Sequence, residues 1–264
     1  MSKRIEMVKG FYKQYDEDAR LIKSRQGQLE YRVTMDYIHR YLKKGASVIE
    51  IGAGTGRYSI ALAKEGVDVT SVELVEENLN ILKEHGKGLD NLHAFQGDAL
   101  DLSRFADETF DITLVFGPMY HIYDSEDQHK ALSEAARITK KNGIILVAFL
   151  SVHAIMMSNY LYQWGTFTEG YKENFDENNK VKHFPEQMFT GFDVDEFENL
   201  FKELPTEYIT TVGVDNVLEI AERRPDFNLP DEDFETFCKY HLDNCEKREL
   251  LGSSVHLLYI CKKR

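Results

Sequence analysis

Between positions 47 and 58 the chain reads SVIEIGAGTGRY. An apolar run carries one carboxylate, Glu50, and then come Gly52, Gly54 and Gly56 with a single residue between each. Glycines so spaced let a backbone turn tightly and approach a ligand closely. Two phosphate-binding motifs share parts of this pattern, and both fail on spacing. Gly-x-Gly-x-x-Gly needs its third glycine where this chain has Arg57, and Gly-x-x-x-x-Gly-Lys-Ser/Thr is absent. Two further acids, Glu73 and Asp98, follow apolar runs. Beyond a fourth run, FDITLVFG, comes GPMYHIY, which sets His121 among Tyr120 and Tyr123. Histidine is the side chain best suited to move a proton near neutral pH, and tyrosines can orient a partner for it.

These residues need elements to hold them. Residues 1–43 read as helical, with Leu29, Val33, Tyr37, Ile38 and Tyr41 near helical spacing and Gly45 as a stop. Short apolar runs at 47–51, 67–74, 92–97, 110–117 and 144–150 have the pattern of buried parallel strands. Helices are expected between them at 56–66, 75–86 and 125–142. The last has Ser125 and Gln128 as a capping box, Lys140 and Lys141 at its negative end, and Gly143 to close it. Repeated β–α units predict a parallel doubly wound sheet. Further on, 193–204 reads as an amphipathic helix, 206–214 as a strand, 215–250 as mainly helical and 254–263 as a final strand. Residues 151–192 are rich in aromatics, Tyr160, Tyr162, Trp164, Phe167 and Tyr171 among them.

The segment EIGAGTG, Glu50 to Gly56, resembles motif I of the class I S-adenosylmethionine-dependent methyltransferases. A carboxylate there suits a ligand bearing an ammonium group, and the methionine tail of S-adenosylmethionine has one. Other matches come in the family's order. Glu73 ends the second strand, where the resemblance implies a carboxylate taking both ribose hydroxyls. GDAL at 97–100 resembles the segment whose Asp meets the adenine amino group, which maps to Asp98 with the backbone of Ala99. FDITLVFGPMYHIY resembles the fourth strand and its functional loop. The cofactor residues so implied are Tyr15, Glu50, Gly52, Ala53, Gly54, Gly56, Glu73, Leu74, Asp98, Ala99, Phe116 and Gly117, and the product S-adenosylhomocysteine. Tyr15 enters because FYKQYDEDARL at 11–21 resembles the lid of many small-molecule members.

The family implies an α/β, Rossmann-like sheet of seven strands in order 3-2-1-4-5-7-6, with strand 7 antiparallel. One domain over 1–264 is expected. Its core is 45–150, 193–214 and 253–264, with a helical lid over 1–44 and cap insertions at 151–192 and 215–252. His121 and Tyr120 are the catalytic candidates. Tyr123 and His153 are further candidates, for orienting the acceptor and for a second base. Members acting on base amines carry Asn/Asp-Pro-Pro-Tyr where this chain has Phe116-Gly117-Pro118-Met119, which argues for a small-molecule acceptor methylated on nitrogen or oxygen. Three other readings stand beside it: a protein or RNA methyltransferase, a non-catalytic S-adenosylmethionine-binding protein, and an NAD-dependent oxidoreductase.

Composition narrows these. Acidic residues outnumber basic ones by 45 to 32, a net charge of −13, and such a field repels a nucleic-acid backbone. No apolar run is long enough to span a bilayer, and the charged N-terminal segment has no apolar signal region. Three cysteines fit a reducing cytoplasm better than a disulfide framework. Cys238, His241 and Cys245 share one helical face, but with Phe234, Phe237 and Leu242 they make an ordinary buried stripe, so no metal is expected. A monomer or homodimer is expected.

Overall fold

The computed structural model describes residues 3–161 and 165–264. Tyr162 and Trp164 lie outside the described residues. In chain order the elements begin with α1 (Lys3–Tyr12), a single 3-10 turn at Glu17–Ala19, α2 (Arg20–Lys23) and α3 (Arg25–Tyr41). The alternating region follows: β1 (Ser47–Ile51), α4 (Arg57–Lys64), β2 (Asp68–Glu73), α5 (Glu76–His85), β3 (Leu92–Gln96), β4 (Phe110–Val115), α6 (Ser125–Ile138) and β5 (Thr139–Ser151). Next come α7 (Val152–Tyr160), α8 (Phe167–Asn174), the two-residue β6 (Gly191–Phe192), α9 (Val194–Asn199) and β7 (Thr206–Gly213). The chain closes with α10 (Leu218–Ala221), α11 (Asp231–Leu242), α12 (Arg248–Leu251) and β8 (His256–Lys263).

The sheet runs β3-β2-β1-β4-β5-β8-β7, with β8 antiparallel to both β5 and β7. Counting without β6, this is the expected order 3-2-1-4-5-7-6 with its antiparallel strand. The addition is β6, which pairs with β5 at Leu150↔Gly191 and makes the sheet eight-stranded. Register is tight in the centre, where Val48 pairs with both Val69 and Ile112.

Successive strand side chains point to opposite faces, so each strand feeds two cores. Ile49, Val147 and Phe149 pack on one face with Leu132, Phe197, Phe201 and Tyr259. Val48, Leu114, Leu146 and Leu258 pack on the other with Leu29, Val33, Leu62 and Phe234. Phe149 stacks on Phe197 and Phe201 on Tyr259, each pair at 3.9 Å between ring centres. Each such side chain, buried in full, contributes roughly 1.5–3 kcal/mol.

Some elements depart from expectation: β3, at the sheet edge, has no buried residue although 92–97 has the pattern of a buried strand. The helix expected over 125–142 ends at Ile138, and Thr139, Lys140, Lys141 and Gly143 open the thirteen-residue β5. Thr139 pairs with Phe110, and Lys140 reaches back to Asp111 at 2.8 Å, so pairing with β4 wins over helical continuation. The cap also shifts by one residue: Asp124, not Ser125, accepts from the backbone N–H groups of Glu126 and Asp127. In α11 the buried stripe is as expected. His241 Nε2 meets the Gly213 carbonyl at 2.8 Å and Nδ1 meets Asn216 at 3.0 Å, which leaves neither ring nitrogen for a metal.

Candidate active site

The carboxyl ends of β1, β2, β3 and β4 open into one cavity of about 860 Å³, roofed by the N-terminal segment and the 151–192 cap. Ligands in such sheets bind at strand ends of this kind. The glycine loop forms the floor. Gly52 has φ +82°, and a Cβ there would stand 2.2 Å from the Phe116 carbonyl oxygen. The loop is thus pressed against the β4 loop at a point only glycine can fill. Ala53 and Gly54 also line the cavity, whereas Gly56 does not; it sits over Leu82 and turns the chain into α4.

Glu73, 5% exposed, ties two loops together. Its Oε2 accepts from Gly54 N–H and its Oε1 from Val75 N–H, both at 2.7 Å. Burial raises its pKa to about 7, against the pull of those two N–H groups. Glu50 is buried and turned toward α4, where the N–H and hydroxyl of Ser59 both bond to it. Burial lifts it further, to about 8. Asp98 also lines the cavity, and Arg4 of α1 pairs with it. Leu74, Ala99, Phe116 and Gly117 complete this wall.

His121, in the loop after β4, lines the cavity. Its Nδ1 is 2.8 Å from the Met188 carbonyl, which can only accept, so that nitrogen carries the proton. Nε2 is therefore the acceptor, and Tyr12 donates its hydroxyl to it at 3.2 Å. Burial pushes the His121 pKa down to about 4, which keeps the ring neutral. Phe11 and Phe189 pack edge to face at 5.2 Å, and Phe11 stacks on Tyr15.

Of the residues singled out in the sequence, Tyr15, Glu50, Gly52, Ala53, Gly54, Glu73, Leu74, Asp98, Ala99, Phe116, Gly117, Tyr120 and His121 share this one cavity. His153 does not reach it and pairs instead with Asp193 at 3.1 Å. Tyr123 is absent from its wall too. Sequence reading missed Arg4, Tyr12, Glu17 and Arg20 on the lid. Glu17 lies over Gly54, its Cγ 3.3 Å from where a Cβ would stand. Arg20 bonds both oxygens of Glu30 (2.9 and 2.8 Å) and, through Nε, Glu17 at 3.1 Å. For Tyr12, Glu17 and Arg20 the only sequence signal was the lid-like segment at 11–21, which marks a region and not its side chains; Arg4 lies outside it.

The arrangement fits S-adenosylmethionine on its own features. The floor is backbone that only glycine could form, carboxylates sit at the ends of the first two strands and just past the third, and buried acids can neutralise a cationic ligand.

Comparisons with known proteins agree with this geometry. Residues 49–147 match the family model described as a methyltransferase domain. Over 136 residues the chain is 32% identical to demethylmenaquinone methyltransferase of Staphylococcus haemolyticus, covering 50% of this chain and 54% of that protein. The chain spans about half the length of the curated relatives it matches. Among solved structures, a SAM-dependent methyltransferase of Thermotoga maritima aligns over 99% of this chain and 100% of its own, with TM-score 0.59 and 19% identity. Phosphoethanolamine N-methyltransferase 1 of Haemonchus contortus, in complex with phosphoethanolamine and S-adenosylhomocysteine, aligns over 100% of this chain and 50% of its own, with TM-score 0.63 and 17% identity. The fold is that of Rossmann-like α/β proteins. Residues 49–147 carry a methyltransferase domain.

Proposed function

We propose that this protein transfers a methyl group from S-adenosylmethionine to a nitrogen or oxygen of a small-molecule acceptor. The observation that carries this reading is the meeting of Tyr12 and His121 in the wall of the cavity that the glycine loop also lines. A lid that covers the site suits a small acceptor better than a protein surface. The net charge of −13 disfavours RNA.

Glu73 would hold the ribose hydroxyls, Asp98 and the Ala99 backbone the adenine edge, and the glycine loop the methionine tail. Arg20, whose Nη2 makes no hydrogen bond to the described residues, would meet the tail carboxylate. When bound, S-adenosylmethionine supplies an electrophilic methyl on a sulfonium, whose sulfur keeps the bonding pair as the new bond forms. The chain's own residues position and dehydrate the acceptor. His121 acts through Tyr12: the neutral imidazole holds the phenol hydrogen, and the phenol oxygen is left to accept a hydrogen bond from the acceptor N–H or O–H. That bond aims the acceptor's lone pair, and the acceptor's proton leaves to solvent once the methyl has transferred. With a pKa near 4 the imidazole is a poor sink for a full proton, so His121 is a positioning residue here and not a strong base.

Calorimetric titration with S-adenosylmethionine, S-adenosylhomocysteine and NADH tests the cofactor. Binding of the first two and not of NADH is expected, and NADH binding alone refutes the reading. Release of S-adenosylhomocysteine across a panel of amines, phenols and carboxylates then tests turnover. Cofactor binding with no turnover on any of them would favour a sensor.

A further inference from the structure

Behind the acceptor end of the cavity lies a buried charged group that the methyl-transfer chemistry does not use. It joins residues from three regions of the chain. Asp215, fully buried after β7, meets His256 Nδ1 at 2.7 Å, and Gln26 donates to the same carboxylate at 3.0 Å. Glu30 of α3 lies 3.9 Å from His256 Nδ1 and takes Arg20 on its other side. Two carboxylates, Glu30 and Asp215, thus face His256 and Arg20, and Glu17 bonds Arg20 from beyond them. Burial alone would strip the charge from His256, but Glu30 and Asp215 override it and raise its pKa to about 9.

Because Nδ1 is turned to Asp215, the opposite edge of the ring carries Nε2. That nitrogen makes no hydrogen bond among the described residues, and the ring lines the cavity. The neighbouring Tyr120 ring, 6.0 Å away and nearly perpendicular, lines it as well. Its hydroxyl likewise has no partner among the described residues, although its backbone N–H and carbonyl are both bonded. Two donors therefore open on one part of the wall, one of them cationic and braced from behind by buried acids. A ligand oxygen placed there could accept from both. A charge-assisted bond to an anion would be the strongest available.

We propose that His256 Nε2–H and Tyr120 O–H form an acceptor-recognition site for an anionic oxygen, the carboxylate or phosphate of the molecule that is methylated. This rests on the methyltransferase reading and narrows its acceptor class: a nucleophilic nitrogen or oxygen directed to Tyr12, and an anionic group directed to His256.

The test uses the full chain saturated with S-adenosylhomocysteine. Phenylacetate, benzylphosphonate, phenethylamine and 2-phenylethanol share a ring and differ in the end group, and each is titrated by calorimetry. At least one anion should bind ten-fold or more tightly than both the alcohol and the amine, and which anion leads separates carboxylate from phosphate. In His256→Gln and in Tyr120→Phe that preference should fall at least five-fold, with S-adenosylhomocysteine affinity unchanged. Each variant's fold is checked by that affinity, and either variant alone suffices. Equal binding of the four, preference for the amine, no binding of either anion, or a preference that survives substitution overturns the proposal. If the parent protein fails to bind S-adenosylhomocysteine, the methyltransferase reading falls and takes this one with it. If that ligand binds and no anion preference appears, only this one falls.

Discussion

Tyr12 donates its hydroxyl to His121 Nε2 at 3.2 Å, across 109 positions of sequence, and thereby joins the lid to the loop after β4. The bond has a direction because the Met188 carbonyl fixes the tautomer of His121. Removing either partner should impair positioning and leave the glycine loop intact. Tyr12→Phe and His121→Ala are each expected to lower kcat about 10²–10³-fold, with S-adenosylmethionine affinity changed less than three-fold. Single-turnover kinetics beside equilibrium titration separates the two quantities. A loss confined to affinity would mean that the pair only closes the lid.

His121 also makes stability depend on pH. Its folded pKa, about 4, lies below the ordinary value of 6.5 because the ring is buried. The unfolded chain therefore binds the proton first as pH falls. The neutral ring's contribution is fully present above about pH 6.5 and is lost progressively as pH falls towards 4. The loss from this group between pH 7.5 and pH 5 should be roughly 2 kcal/mol. Urea unfolding at both pH values checks it, with His121→Asn as the comparison. The variant should lose less on acidification than the parent, and equal losses would place the pH dependence elsewhere.

The buried acids of the cavity, Glu50 and Glu73, give a second proton-linked expectation. Burial holds Glu50 at about 8 and Glu73 at about 7, so both carry protons for part of the time at pH 7. A ligand with ammonium and sulfonium charges, and with hydroxyls for Glu73, favours their ionised forms. Binding should release roughly one proton at pH 7. Titrations in phosphate and in Tris, which differ in ionisation enthalpy, measure it directly. Identical enthalpies in the two buffers would show that these carboxyls keep their protons.

Glu73 has a structural share in the same event. Glu73→Ala removes the acceptor of two N–H groups, Gly54 and Val75, as well as the proposed ribose partner. S-adenosylmethionine affinity should weaken by about 1–3 kcal/mol. Unchanged affinity in the titration would take Glu73 out of the cofactor site.

What the sequence made legible follows range of interaction. The glycine loop, Glu73 and Asp98 stand at strand ends, where the motif resemblance put them in order, and all three line one cavity. The end of α6 was less legible, because Thr139 and Lys140 are equally able to finish a helix or to start a strand, and only pairing with Phe110 and Asp111 decides. Least legible was the wall opposite the loop. Gln26, Glu30, Asp215 and His256 come from three regions of the chain, and each alone reads as an ordinary polar residue on an element. Only the packing of β8 between β5 and β7, with α3 laid across them, brings those charges together.

Gly52 offers the sharpest test of the loop itself. Its φ of +82° is strained for any L side chain, and a Cβ would stand 2.2 Å from the Phe116 carbonyl oxygen and 2.6 Å from Pro118 Cδ. Neither neighbour is the free end of a flexible chain, so the clash moves backbone. Gly52→Ala should cost roughly 2–4 kcal/mol, combining backbone strain with an overpacked contact, and should abolish S-adenosylmethionine binding. Gly10 is the control, since it lies inside α1 with nothing within 4 Å of an added Cβ. Gly10→Ala should leave binding unchanged and raise stability by up to about 1 kcal/mol, from helix propensity alone. Urea unfolding of both variants beside the parent decides. If Gly52→Ala unfolds at the parent's midpoint and still binds the cofactor, the β1 and β4 loops are not pressed together as described, and the floor of the site must be built differently.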